Sequence, residues 1–241
     1  MKKITEIETK IPIPTGMLRE VINRFGILGR NNYFFCKTKE DIYFRDEHND
    51  IGYNNKILRV RSIVESIPCD IKNAGNIFTD YGINHLEEND IESFLSYTFD
   101  PTKLKHYRYI TTKIKNVEKG FEHNLEQEIS INDNLVTTCR MLDILGFKTK
   151  FSKSKFSIFY TLELDPFNVE IVYVSRNNHD KNGVWYVEIE STEKLQCIMG
   201  TYDWKIDDYE DHICDIIRNL GLDPSTKDNR NWKDILGIES E

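Results

Sequence analysis

The feature that most constrains this chain is a recurring oddity in its strand-like stretches. Like charges sit two residues apart on segments whose other face is largely apolar or β-branched. The acidic pairs are Glu6/Glu8, Glu126/Glu128 and Glu188/Glu190, and the basic pairs are Arg59/Arg61, Lys113/Lys115 and Lys153/Lys155. Side chains alternate between the faces of an extended strand, so residues i and i+2 share a face. In ITEIETKIP, Glu6, Glu8 and Lys10 point one way while Ile7, Thr9 and Ile11 point the other. A solvated sheet normally intersperses signs, because like charges opposite one another are unfavourable. Doublets of one sign on six separate segments point instead to a ligand.

The physical solution is an antiparallel barrel with a charged interior and apolar outer faces covered by helices. Three helices are predicted for that purpose. One at 15–28 has Leu18, Val21, Ile22 and Phe25 on one face. One at 133–145 is capped by Asp133, with Val136, Cys139, Leu142 and Leu145 aligned and Gly146 as its stop. A third at 208–220 aligns Ile213, Ile216, Ile217 and Leu220 ahead of Gly221. Charges enclosed in such a barrel cost several kcal/mol each unless paired or solvated. Carboxylate doublets projecting together suit Mg²⁺ or Mn²⁺, hard cations that prefer oxygen ligands. Lysine and arginine doublets suit an oligophosphate, held by charge-assisted hydrogen bonds.

With 241 residues, 39% hydrophobic and 30% charged, the chain is long and apolar enough for one substantial core. It reads as a single domain, 1–241, with an insertion at about 64–108 where alternation fails and IESFLSY suggests a short helix. A net charge of −8 argues against broad binding to nucleic acid, so an anionic ligand must be met locally. Five dispersed cysteines without a CxxC pair fit reduced thiols, and the histidines show no metal-binding spacing. No apolar run has the length of a membrane span, and MKKITEIE lacks the apolar stretch of a signal peptide. The expectation is a soluble, cytoplasmic protein with no membrane association. Asp41 and Tyr43 either orient a phosphate-gripping lysine or lie in a solvated turn, and Trp185, Trp204 and Trp232 read as packing residues.

EIETK resembles the N-terminal ExExK signature of the CYTH superfamily, the triphosphate tunnel metalloenzymes. The family includes class IV adenylyl cyclases, thiamine-triphosphatases and tripolyphosphatases. The resemblance continues in order through DIYF at 41–44, LRVR, TTKIK, EQE, LGF at 145–147, KSK and VEIE, and into the tail NLGLDPSTKDNRNWKDIL. It implies an α+β fold: an eight-stranded antiparallel β-barrel, the triphosphate tunnel, with flanking helices and one or two divalent ions, Mg²⁺ or Mn²⁺. By the same resemblance Glu6, Glu8, Glu188 and Glu190 are metal-side carboxylates, joined by Glu126 or Glu128. Lys10, Arg59, Arg61, Lys113, Lys153 and Lys155 grip phosphate, Lys115 shares the lumen, and Glu6, Glu8, Lys10 and Lys113 are the leading catalytic set. The chain departs from the pattern at Asn124, where an arginine is expected, and at Lys155, which closes a KxR pair. Glu170 is a candidate for the acidic residue on the penultimate strand.

The activity so implied is hydrolysis of the terminal phosphate of a small triphosphate: tripolyphosphate, thiamine triphosphate or a nucleoside triphosphate. The alternatives are an adenylyl cyclase forming cyclic AMP and pyrophosphate, a phosphatase acting on an RNA 5′ triphosphate, or a non-catalytic polyphosphate or nucleotide binder. No adenine pocket is legible in the sequence.

Overall fold

The computed structural model describes residues 4–28, 34–46, 51, 55–68, 80–118, 121–161, 167–177, 180–191 and 206–238. Trp204 and the Glu6 side chain lie outside the described set.

Eight strands close into an antiparallel barrel: β1 (Ile4–Pro12), β2 (Phe34–Arg45), β3 (Lys56–Pro68), β4 (Phe99–Glu118), β5 (Phe121–Ser130), β6 (Lys148–Thr161), β7 (Phe167–Ser175) and β8 (Val184–Ser191). Their order around the barrel is β1-β5-β4-β3-β2-β6-β7-β8, and β8 pairs back onto β1. Closure leaves no unpaired edge, so every strand finds backbone partners on both sides. Six helices accompany the barrel among the described residues: α1 (Leu18–Leu28), α2 (Asp80–Glu87), α3 (Ile91–Thr98), α4 (Leu135–Ile144), α5 (Ile206–Asn219) and α6 (Trp232–Ile235). The three predicted helices are present as α1, α4 and α5.

The core lies outside the barrel wall. Ile7 and Ile11 of β1, Phe156 and Ile158 of β6, Ile171 of β7 and Ile189 of β8 turn outward. They pack under Val21, Ile22 and Phe25 of α1 and Ile213, Ile217 and Leu220, contributed by α5 and the turn after it. A smaller cluster on the other flank joins Phe44, Leu58 and Val60 to Leu142 of α4. That helix is capped by Asn134, one residue beyond the predicted Asp133, whose side chain accepts from the Thr137 amide.

The ends of the stretch read as an insertion lie in the barrel. Strand β3 continues to Pro68 and β4 begins at Phe99, so the ends of 64–108 belong to barrel strands. Between them, α2 and α3 place Ile83, Leu86 and Phe94 in the main core. Arg19 of α1 binds Asn84 at 2.6 Å and Glu87 at 2.9 Å. Asn89, at φ 57° in the turn between α2 and α3, accepts from Trp185 Nε1 at 2.8 Å and donates to the Lys181 carbonyl at 3.1 Å. Alternation fails here because short helices, not strands, supply the apolar residues.

Candidate active site: a charged tunnel

The strand register turns the charged face of the doublets, Glu6 aside, into the lumen. Lys10 stands opposite Glu188 and Glu8 opposite Glu190 across β1 and β8, while Asp41 lies between Arg61 on β3 and Lys153 on β6. The lumen side chains neutralise one another pairwise. Lys10 donates to Glu122 at 2.7 Å and Lys113 to Glu8 at 2.9 Å. Arg59 reaches Glu126 at 2.7 Å, and Arg61 forks onto both oxygens of Asp41 at 2.6 and 2.9 Å. Lys39 does the same to Glu170 at 3.0 and 2.9 Å. Lys155 pairs with Glu188, and Lys115 with Glu122. Glu128 is half-exposed, accepts from the Thr111 hydroxyl at 2.9 Å and lies 3.9 Å from Arg59.

The solvated-turn reading of Asp41 and Tyr43 does not hold, since both are buried on β2. Asp41 is 1% exposed, accepts from the Tyr43 hydroxyl at 3.3 Å and lies 3.5 Å from Lys153, so it fixes a cation on either side. Tyr43 stacks on Phe151 at 4.3 Å. Lys153 Nζ sits 5.9 Å from the Tyr43 ring and 5.0 Å from the Trp232 ring, within reach of two aromatic faces.

Burial and charge pull the titrations apart. Burial alone would raise Glu8, but Lys113, Lys10 and Lys155 outweigh it and hold the carboxyl well below its ordinary range. Asp41 is lowered in the same way, with Arg61 and Lys153 overcoming burial. Glu190 goes the other way, raised to about 6 by burial and by the neighbouring carboxylates Glu170 and Glu8. Burial brings Lys153 down to about 7 despite Asp41.

The lumen opens into a cavity of about 430 Å³ lined by Glu8, Glu188 and Glu190 and by all seven predicted phosphate-binding cations. Glu126 and Glu128 are not among the lining residues. At one mouth α6 lies across the barrel end, where Trp232, Ile235 and Leu236 pack on Val172, Val174 and Tyr186. Trp232 is thus a packing residue that also lines the cavity.

Among the described residues no three histidine, cysteine or carboxylate side chains converge as a preformed metal cluster. Cations hold the relevant oxygens in this arrangement: Lys113 on Glu8 and Lys155 on Glu188. The donor set nevertheless fits a hard divalent ion. Glu188 Oε1 is buried without a hydrogen-bond partner, and Glu190 is crowded by like charge that a cation would relieve.

Two lumen residues were missed in the sequence. Lys39 shares the inward face of KTKED with Lys37 and Asp41, and Glu122 continues the inward series of FEHNLEQE two residues before Asn124. Both obey the same period of two, but each extends a mixed series and not a doublet of one sign. The candidate Glu170 is inside and buried.

No protein-family model matches the sequence, and no curated protein matches it significantly. Solved structures do match. The PH1012 protein of Pyrococcus horikoshii aligns with TM-score 0.59 at 19% identity, covering 96% of this chain and 99% of that one. A candidate adenylate cyclase of Vibrio parahaemolyticus aligns with TM-score 0.60 at 12% identity over 98% and 100% of the two chains. A candidate adenylyl cyclase of Hippeastrum with a dominant triphosphatase activity aligns with TM-score 0.53 at 12% identity over 96% and 95%. At these identities the likeness is one of fold. It agrees with the eight-stranded barrel implied by the CYTH resemblance. No described helix is long and apolar enough to cross a membrane.

Proposed function

We propose that this chain is a divalent-metal-dependent phosphohydrolase that removes the terminal phosphate of a small triphosphate bound along the barrel axis. The observation that carries the reading is the charge of the cavity. Twelve lysines and arginines line it against five carboxylates, and cations stay in excess when Asp41, Glu126, Glu170 and Asp228, which pair with lining cations from outside that set, are added, in a protein whose net charge is −8. Such an enclosed excess of cations complements a multiply charged anion.

In the ligand-bound state, phosphate oxygens take over Lys10, Lys113, Lys155 and the arginines. Glu8, Glu188 and Glu190, with Glu6, would then hold Mg²⁺ or Mn²⁺. A bound ion supplies charge neutralisation at the transferring phosphoryl group. The surrounding lysines and arginines orient the phosphate chain and stabilise its equatorial oxygens, while water attacks the terminal phosphorus in line. No nucleophilic side chain is required.

The test is product analysis by ³¹P NMR after incubation with Mg²⁺ or Mn²⁺ and, separately, tripolyphosphate, thiamine triphosphate, ATP and a 5′-triphosphorylated RNA. Orthophosphate from a small triphosphate is expected, with turnover stopped by EDTA. Pyrophosphate with cyclic AMP would make the cyclase reading correct. Release from the RNA alone would favour the capping-type phosphatase, and full activity in EDTA would overturn the metal-dependent reading.

A further inference from the structure

The inward face of β4 does not end with the lumen cations. Lys115, Lys113 and Thr111 continue by alternation into Tyr109 and Tyr107. The register sets Tyr109 opposite Arg61 and Tyr107 opposite Ile63 on β3. Strand β5 leaves the ladder just there: Ser130 pairs with Tyr109, and the Ile131 amide donates to the Arg108 carbonyl at 3.0 Å. The β3–β4 ribbon therefore overhangs the barrel end opposite the one crossed by α6.

Tyr107 is 37% exposed and Tyr109 is half-buried. Among the described residues neither ring stacks on another, and neither hydroxyl has a hydrogen-bond partner. Two rings on one strand face, two residues apart and beside Ile63, form a shelf whose flat apolar surface is left open. Burial, and after it Glu128, Tyr107 and Glu65, raise the Tyr109 hydroxyl above its ordinary value, so it remains a donor at neutral pH. Lys37 lies 4.0 Å from Glu65, and Lys105 stands opposite Glu65 in the register. With Glu128 these make two cations against two carboxylates, whereas the lumen below holds cations in excess. The shelf therefore suits an uncharged ring, not a further phosphate or a cationic head group.

We propose that Tyr107 and Tyr109, with Ile63, form a stacking subsite for a nucleobase, so that the triphosphate entering this lumen is that of a nucleoside. This rests on the reading of the lumen as a triphosphate site and selects one member of that substrate class. Four residues separate Tyr109 from Lys113 along β4, about 14 Å at the rise of an antiparallel strand. A ribose and three phosphates bridge such a length, passing Arg61 and Arg59, which lie opposite Tyr109 and Thr111. The terminal phosphate then reaches Lys113, whose ammonium holds Glu8 at 2.9 Å. Stacking on the rings tolerates any base, since each presents a flat π surface, and the Tyr109 hydroxyl adds a donor for a ring nitrogen or carbonyl.

The experiment is calorimetric binding of ATP, tripolyphosphate and thiamine triphosphate, in EDTA to hold turnover at zero. The proteins compared are the parent, Tyr107→Ala/Tyr109→Ala and Tyr107→Phe/Tyr109→Phe, with thermal melts to confirm folding. Loss of the stacked base should weaken ATP ~10-fold in the alanine variant and leave tripolyphosphate within about twofold of the parent. The phenylalanine variant keeps both rings and should hold ATP within about threefold of the parent. In NMR, the adenine protons of ATP should move upfield on binding to the parent, a readout that does not depend on any variant folding. ATP affinity untouched by the alanine variant, ATP and tripolyphosphate weakened alike in a folded variant, or no upfield shift in the parent overturns the subsite alone. A loss for thiamine triphosphate as large as that for ATP would overturn the choice of a nucleobase. Failure of both ATP and tripolyphosphate to bind the parent would remove the lumen reading and this inference with it.

Discussion

Lys10 and Ile11 are neighbours on β1, and they are 3% and 0% exposed. Burial is the same on the two faces of this strand, but its energetics are opposite. The outer face gains ~1.5–3 kcal/mol for each large apolar side chain removed from water. The inner face roughly breaks even, because desolvating a lysine and a carboxylate consumes most of what their pairing returns. One face therefore holds the barrel together, and the other keeps charged groups in place at little net gain. A wall of salt bridges is easily mistaken for the source of stability. Here it is better understood as a set of binding groups holding one another until a ligand displaces them.

Variants can break that contrast. The largest effect should come from Glu190→Gln, with turnover of the preferred triphosphate falling about 10²–10³-fold while the fold is kept. Because the carboxyl is raised to about 6 from 4.5, it is ionised in the native state above pH 6 at a cost in stability. Neutralising it should leave stability unchanged or raise it by up to about 2 kcal/mol at neutral pH. A drop in Tm as large as that of a core variant would show that the inner face is structural after all.

Ile217→Ala, under the outer wall, should do the reverse. A cost of about 3 kcal/mol in urea unfolding is expected, with kcat close to that of the parent at a temperature where both are folded. A fall in kcat of the same proportion as that of Glu190→Gln would erase the distinction between the faces.

A weaker effect should appear in the pH dependence of stability without ligand. Burial lowers Lys153 to about 7 from 10.5 and also lowers Lys39 and Lys115, so above pH 7 the native state binds fewer protons than the unfolded chain. The penalty is full below about pH 7 and is relieved as pH rises toward 10.5. Stability should rise by about 1.4 kcal/mol per pH unit for each whole proton of difference. Thermal melts at successive pH values should show this rise, and saturating tripolyphosphate should flatten it. A flat profile without ligand would contradict a lumen crowded with cations.

The smallest effect is expected on α4, whose Met141 is 57% exposed. Met141→Ser should shift stability by no more than ~0.5 kcal/mol. A larger loss would show that the outer wall on this flank is as tightly sealed as that beneath α1 and α5.

The legible part of the fold was the part with a strict period. Glu188/Glu190 and Lys153/Lys155 can be placed because i and i+2 share a face whatever the partner strand. The helix beginning near Leu18 is legible from its apolar stripe. Pairing order was not, since nothing in ITEIETKIP states that β5 and β8 are its neighbours. Lys150, which lines the cavity, escaped because the β2–β6 register shifts between Tyr43 and Phe44 and breaks the period on which the reading depends. Of the two short helices between β3 and β4, α3 was legible in IESFLSY, whereas α2 escaped because eight residues carry too few turns to show a stripe, even though Ile83 and Leu86 are buried. Asn89 was illegible for a further reason: its role follows from a left-handed backbone and two partners brought near only by the fold.

The place of β1 between β5 and β8 has a consequence for how the chain is made. At a synthesis rate of about 5–20 residues per second, β1 waits many seconds on the ribosome before its second partner exists. Until β8 arrives, β1 and β7 each present an open hydrogen-bonding edge, and the future outer wall lacks α5. Closure is thus a late, long-range event, of the kind that makes folding slow and leaves the nascent chain exposed to sticking to its neighbours. The charges of the inner face then have a second use. While the sheet is still open they keep one of its surfaces wetted, so only the other surface and the two edges need shielding during synthesis.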